Sequence, residues 1–218
     1  MTRIKICGIR TEEQAMAAAK AGADYIGLVF ATSPRQVTPE AAARITAILK
    51  KDRANTEAVG VFVNNHASAV NRIVENCRLS WVQLSGDEPW EYCREIEKPV
   101  IKVMQISRER SVEGVLRDIE YGLMILEGRK VMILLDTKSG DKYGGTGRSF
   151  DWELAQPVAR QFPVIIAGGL TPGNVSRAIK MITPWGVDVS TGVETRGVKD
   201  AKKIKKFIEA VRRTDAGT

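Results

Sequence analysis

Three side chains and three glycine-bearing segments, widely spaced along 218 residues, supply groups from which chemistry could be built. Cys7 ends a short apolar run at residues 4–7. A thiol there is either a small buried hydrophobe or, beside cationic groups such as Arg35, a favoured thiolate able to act as a general base. Asp136 directly follows Val131-Met132-Ile133-Leu134-Leu135. A carboxyl group ending such a run is costly unless hydrogen-bonded or functional. It reads as a structural aspartate tied to loop amides, or as a general acid whose pKa burial has raised. Arg35, in Ser33-Pro34-Arg35, is either a surface charge or a planar fork for a ligand carboxylate. Gly144-Gly145-Thr146-Gly147, Gly168-Gly169 and Ser190-Thr191-Gly192 are candidate anion loops. Glycine lets backbone N–H groups approach a phosphate, and helix N-termini favour negative charge, although the same glycines also permit plain tight turns. Cys77 and Cys93 fall in helical stretches and read as packing, Asp151 and Asp188 as structural, and His66 as lying near a helix start outside the site.

Composition narrows the chemistry. One histidine excludes a zinc site built on several histidines, and no Cys-x-x-Cys pair occurs; no metal and no cofactor is expected. An odd set of three scattered cysteines, with no apolar leader at the start, points to free thiols in a reducing, cytoplasmic setting. No apolar run approaches the ~18 residues of a membrane span. The net charge of +7 suits either nucleic acid or an anionic metabolite. Much of the surplus sits in Lys199, Lys202, Lys203, Lys205, Lys206, Arg212 and Arg213, beside an apolar stripe of Ala201, Ile204, Phe207, Ile208 and Val211. This reads as a solvated amphipathic helix.

These groups must be positioned by the elements around them. Apolar, mostly β-branched runs occupy residues 4–7, 25–30, 58–63, 81–84, 100–104, 131–135, 164–167 and 187–189. They read as parallel strands buried on both faces. Helix signals separate them: a capping-box pattern at Thr11-Glu12-Glu13-Gln14, Thr38-Pro39-Glu40, the spacing Val70, Ile73, Val74, Cys77, the spacing Val112, Val115, Leu116, Ile119, Leu123, and Thr171-Pro172. Weaker helices are expected near residues 88–96 and 152–160. Cys7-Gly8-Ile9-Arg10 is no dinucleotide fingerprint, and no G-x-x-x-x-G-K-[ST] occurs. Eight βα units with glycine clusters after the seventh and eighth strands predict an α/β fold, a single (β/α)8 TIM barrel over residues 1–218. In that fold active groups come from the C-terminal ends of strands, which is where Cys7, Asp136 and the glycine loops fall.

The motifs Lys5-Ile6-Cys7-Gly8-Ile9, Ser33-Pro34-Arg35, Val82-Gln83-Leu84, Leu134-Leu135-Asp136, Gly145-Thr146-Gly147 with Phe150-Asp151-Trp152, Ala167-Gly168-Gly169-Leu170 and Gly186-Val187-Asp188-Val189-Ser190 with Gly192-Val193-Glu194 occur in one order over nearly the whole chain. Together they resemble the phosphoribosylanthranilate isomerase family of tryptophan biosynthesis. The resemblance implies a metal-independent Amadori rearrangement of N-(5-phosphoribosyl)anthranilate. It casts Asp136 as the acid that protonates the ribose ring oxygen and Cys7 as the base that removes the C2 proton. Arg35 would hold the anthranilate carboxylate, and Gln83 would be a further substrate-binding residue. Gly145, Thr146, Gly147, Gly168, Gly169, Ser190, Thr191 and Gly192 would surround the phosphate. The implied partner is a small phosphosugar, with no nucleic acid and no membrane, on a monomer or homodimer. Two positions depart from the family pattern: Ser85 where histidine is frequent, and Thr191 where serine is common. The first is expected to change affinity more than turnover. Rival readings are another phosphosugar barrel enzyme and an inactive barrel that binds nucleic acid through its basic helix.

Overall fold

Residues of alternating parity go to two different cores. Ile4, Ile6, Ile26, Leu28, Val82, Leu84, Ile133, Leu135, Val187 and Val189 join one apolar cluster with the helices. Tyr25, Val59, Trp81, Ile101, Val103, Leu134, Ile165 and Ala167 form a second cluster by themselves. Side chains on a strand alternate between its two faces, so the two clusters lie outside and inside one sheet. The structure, a computed structural model, describes residues 1–52, 54–106, 111–137 and 152–217.

Along the chain, β1 (Arg3–Cys7), α1 (Glu12–Ala21), β2 (Tyr25–Val29), α2 (Pro39–Lys51), β3 (Glu57–Phe62), α3 (Ala67–Asn76), β4 (Trp81–Leu84), β5 (Val100–Ile106), α4 (Val112–Ile125), β6 (Val131–Thr137), α5 (Trp152–Gln161), β7 (Val164–Ile166), α6 (Val175–Ile182) and β8 (Gly186–Val189) alternate. All eight strands pair in parallel in sequence order, and β8 closes on β1 through Lys5↔Asp188 and Ile6↔Val189. The predicted TIM barrel is therefore the observed fold. A short hairpin, β9 (Glu194–Thr195) and β10 (Val198–Lys199), precedes the last helix, α7 (Ala201–Ala216).

Local chemistry sets the boundaries. Thr11 accepts from the Gln14 N–H at the start of α1, and Gln14 reaches back to the Arg10 N–H. Thr38 accepts from the Ala41 N–H, with Pro39 at the first helical position of α2. Three expectations need correction. Between β4 and β5 the chain makes only a 3-10 helix, Trp90–Glu95. Thr171-Pro172 does not open α6: the Thr171 N–H donates to Asn174 Oδ1 at 2.7 Å in a preceding turn, and the helix starts at Val175. Lys199 is not on the solvated face of the last helix but buried on β10. The rest of the amphipathic reading holds, with Ile204, Phe207, Ile208 and Val211 buried on α7.

The lumen is plugged at the N-terminal end of the strands. Tyr25 meets Trp81 edge-on at a ring separation of 6.1 Å and Trp185 at 6.3 Å, and the Lys130 ammonium lies 4.7 Å from the Trp81 ring. Among the described residues, no helix is long and apolar enough to cross a membrane. Phe207 is fully buried in the outer cluster. Phe207→Ala is expected to lower unfolding free energy by about 3–5 kcal/mol, read from urea midpoints, while the far-ultraviolet spectrum stays that of an α/β protein.

Candidate active site

Polar side chains gather at the opposite end of the lumen, at the C-terminal ends of the strands. Cys7 and Asp136 share the parity of the inward-facing residues on their strands, Lys5 on β1 and Leu134 on β6. Going round the barrel, β7 and β8 separate the two. Cys7 is 9% exposed and Asp136 is half-buried. Burial pushes the Cys7 thiol up, the nearby Lys5 and Lys199 ammonium groups pull it down, and the Asp188 carboxylate pushes it up again. The net direction is upward, which corrects the expectation of a favoured thiolate: burial outweighs the cations.

Beneath Cys7, the Lys5 ammonium is buried against Asp188, Nζ to Oδ1 2.9 Å. Lys5 falls in the quoted Lys5-Ile6-Cys7 motif but is not among the sequence-derived site residues, although its spacing of two from Cys7 puts both on one face of β1. Asp188, read from the sequence as structural, is the carboxylate paired with this lysine.

At the rim, Arg35 donates from Nε and Nη2 to the two oxygens of Glu194, at 2.7 and 2.9 Å. Lys199 donates to the same carboxylate at 2.5 Å and to the Ser190 carbonyl at 3.0 Å. Burial alone would raise the Glu194 carboxyl, but the hydrogen bonds and charges of Arg35 and Lys199 win and hold it down at about 2. Two of the three guanidinium nitrogens expected to serve a ligand are thus engaged within the protein. Neither Glu194 nor Lys199 is among the sequence-derived site residues. Glu194 does fall in the quoted Gly192-Val193-Glu194 motif, whereas nothing in the spacing marks Lys199.

Neighbouring strands β7 and β8 carry two of the three anion loops. Gly168 and Gly169 take φ of 91° and 65°, left-handed backbone that favours glycine. A β-carbon at Gly192 would lie 1.9 Å from the Leu170 carbonyl oxygen, so the loop after β8 packs directly on the loop after β7. Ser190, Thr191 and Gly192 thereby join Gly168 and Gly169 in one cluster. Gly145, Thr146 and Gly147 lie outside the described residues, as does Asp151. Gln83 is buried on β4, its Nε2 donating to Ser85 Oγ at 3.0 Å, while its Oε1 has no hydrogen-bond partner among the described residues. A buried acceptor in that state is suited to a ligand donor. Cys77 is buried at the C-terminal boundary of α3 and Cys93 on the 3-10 helix between β4 and β5, while His66 immediately precedes α3 without a side-chain capping bond.

Comparison with known proteins adds to this geometry. A family model described as N-(5'phosphoribosyl)anthranilate (PRA) isomerase matches residues 4–210. An N-(5'-phosphoribosyl)anthranilate isomerase of Dehalococcoides mccartyi is 46% identical over 215 residues, covering 99% of this chain and 98% of the relative. The crystal structure of phosphoribosyl anthranilate isomerase from Thermotoga maritima matches with a TM-score of 0.83 at 39% identity, over 98% of this chain and 100% of that one. A crystal structure of such an isomerase in complex with reduced 1-(o-carboxyphenylamino)-1-deoxyribulose 5-phosphate matches with a TM-score of 0.80 at 38% identity, again over 98% and 100%.

The rim carboxylate makes a testable link between acid and stability. Because the folded Glu194 carboxyl sits at about 2, below its ordinary 4.5, its stabilising contribution is complete above that ordinary value. It is lost as pH falls through the folded value. Glu194→Gln is expected to be less stable than the parent at neutral pH. The gap should close between pH 4.5 and about 2, read as the difference in urea midpoints at stepped pH.

Proposed function

Because the chain belongs to the phosphoribosylanthranilate isomerase family, we propose that its barrel mouth divides the family's reaction between Cys7 and Asp136. The activity is an aldose–ketose isomerisation in tryptophan biosynthesis, the Amadori rearrangement of N-(5'-phosphoribosyl)anthranilate to 1-(2-carboxyphenylamino)-1-deoxyribulose 5-phosphate. One observation carries the assignment of roles: an inward thiol and an inward carboxyl stand at the same end of the lumen, with the paired anion loops of β7 and β8 between them.

Asp136 in its neutral form gives a proton to the ribose ring oxygen, the C1–O bond breaks, and a Schiff base forms with the anthranilate nitrogen. Cys7 as thiolate takes the proton from C2, leaving an enolamine that tautomerises to the ketone. Acid and base act from opposite sides of one sugar, which is what two strands of separation around the barrel permits. Backbone groups of Gly168, Gly169, Ser190, Thr191 and Gly192, with Gly145, Thr146 and Gly147, hold the phosphate. The anthranilate carboxylate takes the guanidinium edge of Arg35 that Glu194 leaves, and Glu194 fixes the plane of that fork. Gln83 Oε1 accepts from a substrate donor, its amide held by Ser85.

Cys7→Ala and Asp136→Asn are each expected to lower kcat by at least ~10²-fold, the scale of a positioned acid or base. Steady-state turnover, backed by failure of Cys7→Ala to rescue a tryptophan auxotroph lacking this isomerase, checks the pair. Near-parental turnover in either variant rejects that residue's role. Arg35→Ala should raise KM more for the natural substrate than for an analogue without the carboxylate. Ser85→His should move KM more than kcat. A tenfold change in kcat at constant KM would contradict a positioning role for Ser85.

A further inference from the structure

The lumen contains an ion pair that the proposed acid, base and phosphate contacts leave unexplained. Lys5 is 1% exposed, one of the largest fully buried side chains, and the barrel closes so that its register partner on β8 is Asp188. A buried ion pair of this kind contributes little net stability, because desolvating two charges offsets their attraction, and apolar side chains of similar volume would pack the same space at no such cost. Its position suggests a use. Lys5 and Cys7 stand two residues apart on the same face of β1, and the position facing Cys7 on β2 is Gly27. A β-carbon placed on Gly27 would lie 2.8 Å from Cys7 Sγ and 3.2 Å from Lys5 Nζ. The ammonium and the sulfur therefore converge over the one stretch of neighbouring strand that has no side chain.

We propose that the Lys5–Asp188 pair is a positioning device for Cys7: Asp188 holds Lys5 as an ammonium ion, and that ammonium stabilises the thiolate that removes the substrate proton. The inference rests on the reading of Cys7 as the base. Among the described residues, four charged groups act on the sulfur. Lys5 comes from β1, Asp188 from β8 and Lys199 from β10, and Arg35 follows β2. Arg35 and Lys199 share the Glu194 carboxylate at the rim. Burial drives Lys199 down despite that carboxylate, so it is the less persistent cation. Burial is the largest influence on Lys5 and opposes its charge, but Asp188 and the Cys7 sulfur together override it and the net direction is up. Lys5 thus remains charged where Cys7 must ionise, in a place where water screens least. Among the charges that pull the thiol down, Lys5 is also the largest.

The test separates this from a merely structural pair. The thiolate absorbance of Cys7, taken as the difference between the parent and Cys7→Ala, gives a midpoint pH that does not depend on turnover. In Lys5→Met that midpoint is expected to rise by about one pH unit, equivalent to about tenfold less thiolate at a fixed pH below it. The acidic limb of the kcat profile should move with it and KM should stay within about twofold. Lys5→Met with Asp188→Asn, which leaves no unpaired buried charge, should shift the midpoint in the same direction by less. The parent supplies a measurement that needs no Lys5 variant to fold. The Lys5 ammonium resonance in a nitrogen-15 spectrum should step at the Cys7 midpoint, and that step should be missing in Cys7→Ala. An unmoved midpoint in the neutral variants, or a Lys5 resonance blind to Cys7 ionisation, overturns the proposal even where Cys7→Ala has lost turnover. Full turnover in Cys7→Ala overturns instead the reading of Cys7 as the base.

Discussion

A closed sheet of eight parallel strands has no solvated face, and this constraint governs everything else in the molecule. Every second side chain must pack against the helices, and every other one must enter a narrow lumen. The outward set is almost purely aliphatic, as packing density demands. The inward set changes character along the strand axis, from the aromatic residues Tyr25 and Trp81 at one end to Cys7, Gln83 and Asp136 at the other. A polar group in that lumen has to be matched by another polar group or by a ligand. The site follows from the constraint: Lys5 is matched by Asp188, while Gln83 Oε1 has no partner among the described residues.

The same constraint explains how far the residues alone could be read. Strand runs were legible because parallel strands buried on both faces are continuous apolar segments, and β4 matches its run residue for residue. Helix starts were legible where a side-chain cap announces them, as at Thr11 and Thr38. Thr171 misled because a turn uses the same residue types as a cap, and here Asn174 accepts the Thr171 N–H one turn too early for the helix. Cys7 and Asp136 stood out as polar ends of apolar runs. Lys5 was harder to see, since a lysine inside a strand is ordinarily an exposed one, and only closure of β8 on β1 supplies the carboxylate that lets it be buried. The role of Glu194 was hard to read for a related reason: its partner Arg35 is some 160 residues away, brought near by the ring of strands, and Lys199 is tied to the site only through Glu194 and Ser190.

Charge in the site is arranged in two tiers. The rim tier joins Arg35, Glu194 and Lys199, and further cross-links tie it into the fold through Lys203 to the Glu194 carbonyl and Thr195 to Asp200. The inner tier joins Lys5 and Asp188 below the thiol. Dry surroundings push the Cys7 thiol up, and both tiers present ammonium groups that act against that push. The balance differs from that of an exposed thiol flanked by cations, where solvent would screen each term. Here the low dielectric magnifies attraction and desolvation together, so small changes in geometry carry large electrostatic consequences.

The aromatic residues Tyr25, Trp81 and Trp185 fill the N-terminal end of the lumen, leaving its polar groups at the other end. Any molecule that occupies the mouth covers the inner polar tier and shields those groups from bulk water. Whatever binds there becomes the last wall of the reaction chamber. The chamber is then as dry as its occupant is well fitted, which ties selectivity for the guest to the strength of every field acting on it.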